Sequence, residues 1–411
     1  MALLHIGPFA KKQPLDPTTH LGAISLSAVA NNGSSISQGI AARVSLATPV
    51  EPELDKLPPH TPTREDIEAL SGQETPFAFT CSSDESATAP ALSDRSLVAL
   101  SNALAYYDND GREASYLMMD MTTGRGIAGN MDAAIYGASS FKGPYCTYVT
   151  QRELPNDINA ASSSRTTQIE NAIIWSDNTS YGELRRDFGT DGMKEWLSEA
   201  GVSESIADDT YFPTYTGRQA ALMWLKIYDY LENADTSAAQ WLSDTFAQTE
   251  VSFLRNGALG TTSAGHTDYL PAEGSGEEEN IEEEAVVTEG ALDVVSDGEG
   301  ELAVGADEAG DGAAPNENVT DGAADSEDAT SSDTTKVEPV VDSLGDSVKV
   351  RNKAGWIAGK EDDAVCDAGI VTINDHDYLM VIMTSATDSA EGEQAFAHLA
   401  RTLFEIRSDL V

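Results

Sequence analysis

The sequence predicts an α+β sandwich, an antiparallel sheet covered by N- and C-terminal helices with a helical lobe between its early and late strands. Three observations carry this. Helical periodicity opens and closes the folded portion, strand-like runs occur both before and after its helical middle, and two low-complexity stretches interrupt the chain. The 411 residues carry 24 basic and 69 acidic side chains, a formal charge of −45. Between Pro271 and Asp346 lie 24 acidic residues, the single base Lys336 and no aromatic residue. Such a stretch cannot bury enough apolar surface to offset the entropy of ordering it. A disordered acidic insert is therefore expected over 271–346. Residues 1–90 hold only Phe9, Phe77 and Phe79 as aromatics and the helix-breaking run Leu57-Pro58-Pro59, so a disordered N-terminal segment is expected there. What remains, 91–270 and 347–411, reads as one split domain, because the late piece alone would make a marginal core.

The elements follow in order. Asp94 is expected to cap a helix carrying Leu97, Leu100, Leu104 and Tyr107, which ends at Asp108-Asn109-Asp110-Gly111. Ala114 to Met121 reads as a buried strand. Thr123-Gly124-Arg125-Gly126 is a turn, and Ile127 to Asn130 starts a return strand. Helices are predicted over Asn178 to Arg186, Asp191 to Ala200, Arg218 to Glu232 and Trp241 to Phe253. Late strands are predicted over Ser347 to Trp356, Ala368 to Ile373 and Tyr378 to Thr384. The last two are joined by Asn374-Asp375-His376-Asp377. Phe396, Leu399, Leu403 and Ile406 line one face of a closing helix.

Charge excludes several partners. A polyanion is repelled, so no nucleic acid is expected, and anionic membrane surfaces are disfavoured. No run of eighteen apolar residues occurs, so no transmembrane helix is predicted. Cys81, Cys146 and Cys366 are widely spaced without a CxxC pair. Buried free thiols are the simplest reading, with one disulfide open to an exported protein. No metal and no cofactor is expected.

Three short motifs carry the chemistry. In Gly137-Ala138-Ser139-Ser140-Phe141-Lys142-Gly143, Ser139 and Lys142 share a helix face, so an amine can reach the hydroxyl and activate it. In Ser176-Asp177-Asn178, a second serine can relay a proton and an amide can hold a carbonyl. All three residue types are also ordinary helix caps. In Lys353-Ala354-Gly355-Trp356, a lysine supplies positive field and a glycine lets a substrate approach the backbone. The N–H groups of Ser139 and Trp356 could form an oxyanion site. Each motif alone fits a surface residue, a cap or a plain strand.

Taken in order and context, the set resembles the serine β-lactamase and penicillin-binding protein superfamily, closest to its class A β-lactamase-like branch. The resemblance covers roughly residues 91–260 and 347–411, and implies a β-lactamase/transpeptidase-like fold. It also implies roles. Ser139 would be the acylated nucleophile, and Lys142 its proton acceptor. Ser176 would pass a proton to the leaving nitrogen. Asn178 would hold the substrate amide, Lys353 would attract its carboxylate, and Gly355 and Trp356 would line the oxyanion site. The implied substrates are β-lactams or D-Ala-D-Ala-type cell-wall peptides. The implied setting is extracytoplasmic, with an anchor upstream of this chain as one arrangement, and a monomer is expected.

Departures shape the expected activity. Ala354 stands where the family carries Thr or Ser, and a lost charge-assisted bond is worth about 1.5–3 kcal/mol. Ser139 and Ser176 are 37 positions apart, which implies a trimmed helical lobe. Only Ala207-Asp208-Asp209-Thr210 separates Ile206 from the next element, with no Glu-x-x-x-Asn. Glu199 and Glu204 read as solvated, and Asp208 or Asp209 as a poor base. The expectation is a serine hydrolase that acylates and deacylates slowly. The alternative is a catalytically degenerate binding module of the cell envelope.

Overall fold

The computed structural model describes residues 57–82, 87–208, 211–260, 340–341, 347–359 and 362–410. Of the disorder expected over 1–90 and 271–346, residues 1–56, 83–86, 271–339 and 342–346 fall outside the described residues, while Val340 and Val341, inside the expected insert, form a short strand paired with Val348 and Ser347.

Residues 57–82 depart from the unstructured segment expected through residue 90. They hold helix α1 (Arg64–Ala69) and strand β1 (Phe77–Thr80). Thr63 and Asp66 form a capping box, with Asp66 Oδ2 accepting from Thr63 N at 2.8 Å. The rest of the hold is long-range. Arg218 donates to the Ile67 carbonyl at 2.6 Å and to the Leu70 carbonyl at 2.8 Å. Sequence periodicity cannot show a helix end gripped by a side chain 150 residues away.

Next come α2 (Asp94–Asp110), β2 (Ala114–Asp120), β3 (Arg125–Gly129) and β4 (Ala134–Tyr136). Ser93, not Asp94, caps α2, and its hydroxyl accepts from Ser96 N at 3.2 Å. Helices α3 (Lys142–Arg152), α4 (Ser163–Ile174), α5 (Asn178–Phe188) and α6 (Asp191–Glu199) follow. Strand β5 (Thr214–Thr216) leads into α7 (Gly217–Asn233), then α8 (Ser237–Ala247) and α9 (Phe253–Leu259). The late strands are β6 (Val340–Val341), β7 (Ser347–Ile357), β8 (Ala364–Ile373) and β9 (His376–Thr384), and α10 (Ala390–Ile406) follows them. The Asn374-Asp375 turn takes positive φ at both residues, +47° and +68°, as a two-residue hairpin turn requires.

The single helix expected over Trp241 to Phe253 is two. After Ala247 the chain dips toward β7, where Thr249 Oγ1 donates to the Asn352 carbonyl at 2.9 Å. Ser252 then caps α9, accepting from Arg255 N at 3.0 Å. Phe246 and Phe253 therefore serve opposite layers. Phe246 packs on Trp224, and Phe253 on Trp356 and Phe396.

The main sheet is antiparallel throughout, in the order β1-β3-β2-β9-β8-β7-β6. The early hairpin meets the late strands along β2 and β9, with Leu117 opposite Val381. Alternation then sorts side chains to two cores. Leu117, Met119, Cys366, Ile370, Leu379 and Val381 face the helical lobe. Tyr116, Met118, Val365, Val371, Met380 and Ile382 face α2, α9 and α10. All three cysteines are buried free thiols, and burial pushes each up to about 12.

Within the lobe, α7 and α8 brace α3 against β7. A β-carbon on Gly143 would sit 3.0 Å from Lys353 Cβ and 3.5 Å from both Trp224 and Phe246. Trp224 is fully enclosed. We expect Trp224→Ala to cost about 3–5 kcal/mol in urea unfolding, and to loosen the seat of both buried lysines.

Candidate active site

Ser139 stands in a 3-10 turn, Ala138–Phe141, at the head of α3. The turn is pinned from one side. Gly137 N donates to the Pro213 carbonyl at 3.0 Å. The Ser140 hydroxyl contacts both the Gly137 carbonyl and Tyr215 Oη. Gly137 must be bare there, because a β-carbon would lie 2.2 Å from the Tyr215 ring. Ala138 is held at φ +44°. Among the described residues five non-glycine positions take positive φ. Three lie in turns, and the other two are Ala138 and Ser176, at φ +58°. Such backbone costs about 1–3 kcal/mol each and concentrates at functional sites.

Strand β7 closes on this turn. A β-carbon on Gly355 would meet the Gly137 carbonyl and Ser140 N at 2.4 Å, and Ser139 N at 2.8 Å. The glycine therefore brings the start of the Ser139 turn against the strand just before Trp356.

Two buried lysines meet over Ser176. Trp175 N and Asp177 N both donate to the Asn171 carbonyl at 3.1 Å, folding the α4–α5 link so that Ser176 projects. Asp177 caps α5, accepting from Ser180 N at 2.6 Å, so the capping reading holds for that residue. Lys142, with no exposed surface, donates from Nζ to the Ser176 carbonyl, to Asn178 Oδ1 at 2.6 Å and to Ser176 Oγ at 3.3 Å. Lys353, equally buried, donates to Ser176 Oγ at 3.1 Å and to the Ala354 carbonyl at 2.8 Å. Desolvation, then the neighbouring Lys353 charge, pull Lys142 down to about 6. Desolvation draws Lys353 down to about 8, with buried Asp367 opposing it.

Lys142, Ser176, Asn178 and Lys353 thus form one hydrogen-bonded cluster. Ser139 does not join it: among the described residues its half-buried hydroxyl makes no hydrogen bond. The Ser139–Lys142 contact that the spacing suggests is not formed, because Asn178 and Ser176 hold the amine instead. Ala354 is buried in the apolar layer facing α9 and α10. Lys142 Nζ lies 5.5 Å from the Phe212 ring and 5.7 Å from the Tyr181 ring. The carboxylates considered as bases are committed elsewhere. Glu199 pairs with Arg152 and Lys226, and Asp208 with Lys194. Asp209 lies outside the described residues. No group of three His, Cys, Asp or Glu among the described residues could hold a metal ion.

Sequence reading missed Asp367, which anchors the Lys353 strand from β8. It accepts from Asn352 Nδ2 at 2.7 and 2.8 Å and from Leu254 N at 3.0 Å, and burial raises it to about 6. A lone Asp inside an apolar run was the only signal available.

A profile of the beta-lactamase enzyme family matches residues 329–406, which include Lys353–Trp356. Over these residues the chain is similar to that family. Among solved structures, PBP-A is 13% identical with a TM-score of 0.45, over 75% of this chain and 94% of that one. TLA-1 extended spectrum beta-lactamase is 12% identical with a TM-score of 0.44, over 76% of this chain and 98% of that one. A beta-lactamase from Chitinophaga pinensis is 14% identical with a TM-score of 0.44, over 75% and 98%. No curated protein matches the chain.

Two outcomes follow from this geometry. Lys142 is depressed below its unfolded value, so between about pH 6 and 10 the native state binds fewer protons than the unfolded one. Stability therefore rises with pH across that window. Lys142→Met should remove most of that rise between about pH 6 and 10, read by thermal melts across the window. Gly355→Ala should destabilise the fold by about 1–3 kcal/mol in thermal melts, because its methyl pushes the turn off the strand.

Proposed function

We propose that the protein is a serine hydrolase that forms an acyl-enzyme on Ser139 and deacylates slowly. The carrying observation is the buried pair of lysines converging on Ser176 beside the Ser139 turn. Lys142 held near 6 is largely an uncharged amine at neutral pH, and so a proton acceptor. A small shift of Nζ from Asn178 toward Ser139 opens the path.

In the proposed step, Ser139 Oγ attacks an acyl carbon while its proton passes to Lys142. The carbonyl oxygen takes the electron pair beside the Ser139 and Trp356 amides. The carbon–leaving-group bond then breaks, and the proton reaches the leaving atom through Ser176. Lys353, still charged below pH 8, steadies the negative charge on that relay. Water then cleaves the ester to release the acid and restore Ser139. This second step is slow because Phe212 and Tyr181 stand over Lys142, and neither ring can act as a carboxylate base. The donors in view are β-lactams and D-Ala-D-Ala-type cell-wall peptides, and the setting is the cell envelope. No helix of the described residues is long and apolar enough to cross a membrane.

Intact-protein mass spectrometry after penicillin treatment tests this. A persistent adduct on the native chain, absent from Ser139→Ala, is expected. No adduct from penicillin or from a fluorophosphonate would instead favour the degenerate binding module, a reading to which the unbonded Ser139 hydroxyl also leans. The acylation rate should follow a bell, rising through about pH 6 as Lys142 loses its proton and falling above about pH 8 as Lys353 does.

A further inference from the structure

At the end of the sheet away from β7, residues 57–60, 80–82, 87–88, 123 and 125 wall a cavity of about 370 Å³. Main-chain bonds seat these segments on one another. His60 N donates to the Thr122 carbonyl at 2.7 Å, and Cys81 N to the Gly124 carbonyl at 2.9 Å. Thr80 stands opposite Arg125 in the β1–β3 register. Gly124, at φ +67°, is closed in by both flanks: a β-carbon there would lie 2.7 Å from the His60 ring and 2.9 Å from Cys81 Cβ. Leu57, Pro58, Pro59 and Ala87 give the cavity apolar wall, and Arg125 gives it a positive charge.

Arg125 is under-used. Of the five N–H groups of a guanidinium, one is spent among the described residues, from Nη2 to the Thr88 carbonyl at 3.2 Å. Its Nε is buried without a partner. The chain carries 69 acidic side chains, yet none among the described residues pairs with this cation. Neighbouring acids are engaged elsewhere. Asp66 Oδ2 accepts from His60 Nε2 at 2.8 Å, from Thr63 N at 2.8 Å and from Thr63 Oγ1 at 2.9 Å. Burial raises Asp66, but the His60 and Thr63 bonds outweigh it and hold the carboxyl below its ordinary value. Asp120 Oδ1 accepts from Thr123 N and Thr123 Oγ1, both at 2.7 Å. A buried donor without an acceptor is costly, and at the wall of a cavity it points to a bound species that takes it.

We propose that this cavity binds a small organic monocarboxylate, its carboxylate on the Arg125 fork and its apolar body against Leu57, Pro58 and Pro59. Arg125 is the one permanent cation among the described lining residues, which matches a single negative charge. A phosphate dianion would keep one charge uncompensated. The volume is that of a small-molecule site. The bound anion ties residues 57–60 to the β1–β3 edge. The site is separate from the Ser139 turn and stands whether or not the chain acylates.

Benzoate is the probe, and benzamide its uncharged counterpart of like size, both on the full chain. Benzoate should raise the melting temperature saturably and, by calorimetric titration, bind about tenfold or more tightly than benzamide. Inorganic phosphate as the dianion should compete about tenfold less well than benzoate itself. Arg125→Gln should weaken benzoate by about tenfold or more. Arg95→Gln, on the exposed face of α2, and Ser139→Ala should bind it as the native chain does. No saturable benzoate binding overturns the proposal. Benzamide or phosphate bound as well as benzoate overturns it on the native chain alone, whatever the folding of Arg125→Gln. Loss of binding in Ser139→Ala places benzoate in the other site and overturns it too. Asp84 and Glu85 lie outside the described residues. Benzoate bound only after both Asp84→Asn and Glu85→Gln would mean that the chain's own carboxylates satisfy Arg125, which also overturns it.

Discussion

Lys142 and Lys353 each hold an amine out of water, and both reach the same oxygen, Ser176 Oγ. Burying such groups is costly unless their donors are satisfied. Much of the surrounding architecture exists to satisfy them. The link between α4 and α5 is folded to offer the Ser176 carbonyl and Asn178 Oδ1 to one lysine. Gly143 lets β7 come close enough to deliver the other. Trp224 and Phe246 pack beside Gly143 in the same enclosed layer, and burial lowers both amines. The same burial makes an uncharged Lys142 available at neutral pH.

The aromatic side chains over Lys142 trade one chemical capacity for another. Phe212 and Tyr181 stand within 6 Å of the Lys142 amine, and in the reaction proposed above they would border the amine that prepares Ser139. They also fill ground that a hydrated carboxylate would need in order to activate water.

The strands and helices with strong periodicity were legible from the sequence. Leu117 to Met119, Tyr378 to Thr384 and Phe396 to Ile406 each carry a pattern that burial then repeats. The order of the motifs also led to Lys142, Ser176, Asn178 and Lys353, which the fold gathers into one cluster. What escaped depends on contacts distant in sequence. Helix α1 is held by Arg218, and β1 by its register on β3. The break between α8 and α9 follows from a bond between Thr249 and β7. Asp367 matters only because β8 lies beside Asn352. None of these contacts shows in local periodicity. Ser139 illustrates the converse: its spacing to Lys142 suggests a contact, yet neighbours brought in by the fold compete for the amine.

The pairing of β2 with β9 joins residues 114–120 to residues 378–384. The middle of the sheet therefore cannot close until residue 384 has left the ribosome. Until then the β2–β3 hairpin has apolar side chains on both faces and one edge without its partner, a state prone to mispairing. Folding of so non-local a sheet is slow. A newly made chain thus spends an extended period uncompacted, when chaperones, translocation machinery or proteases can engage it before the Ser139 cleft exists.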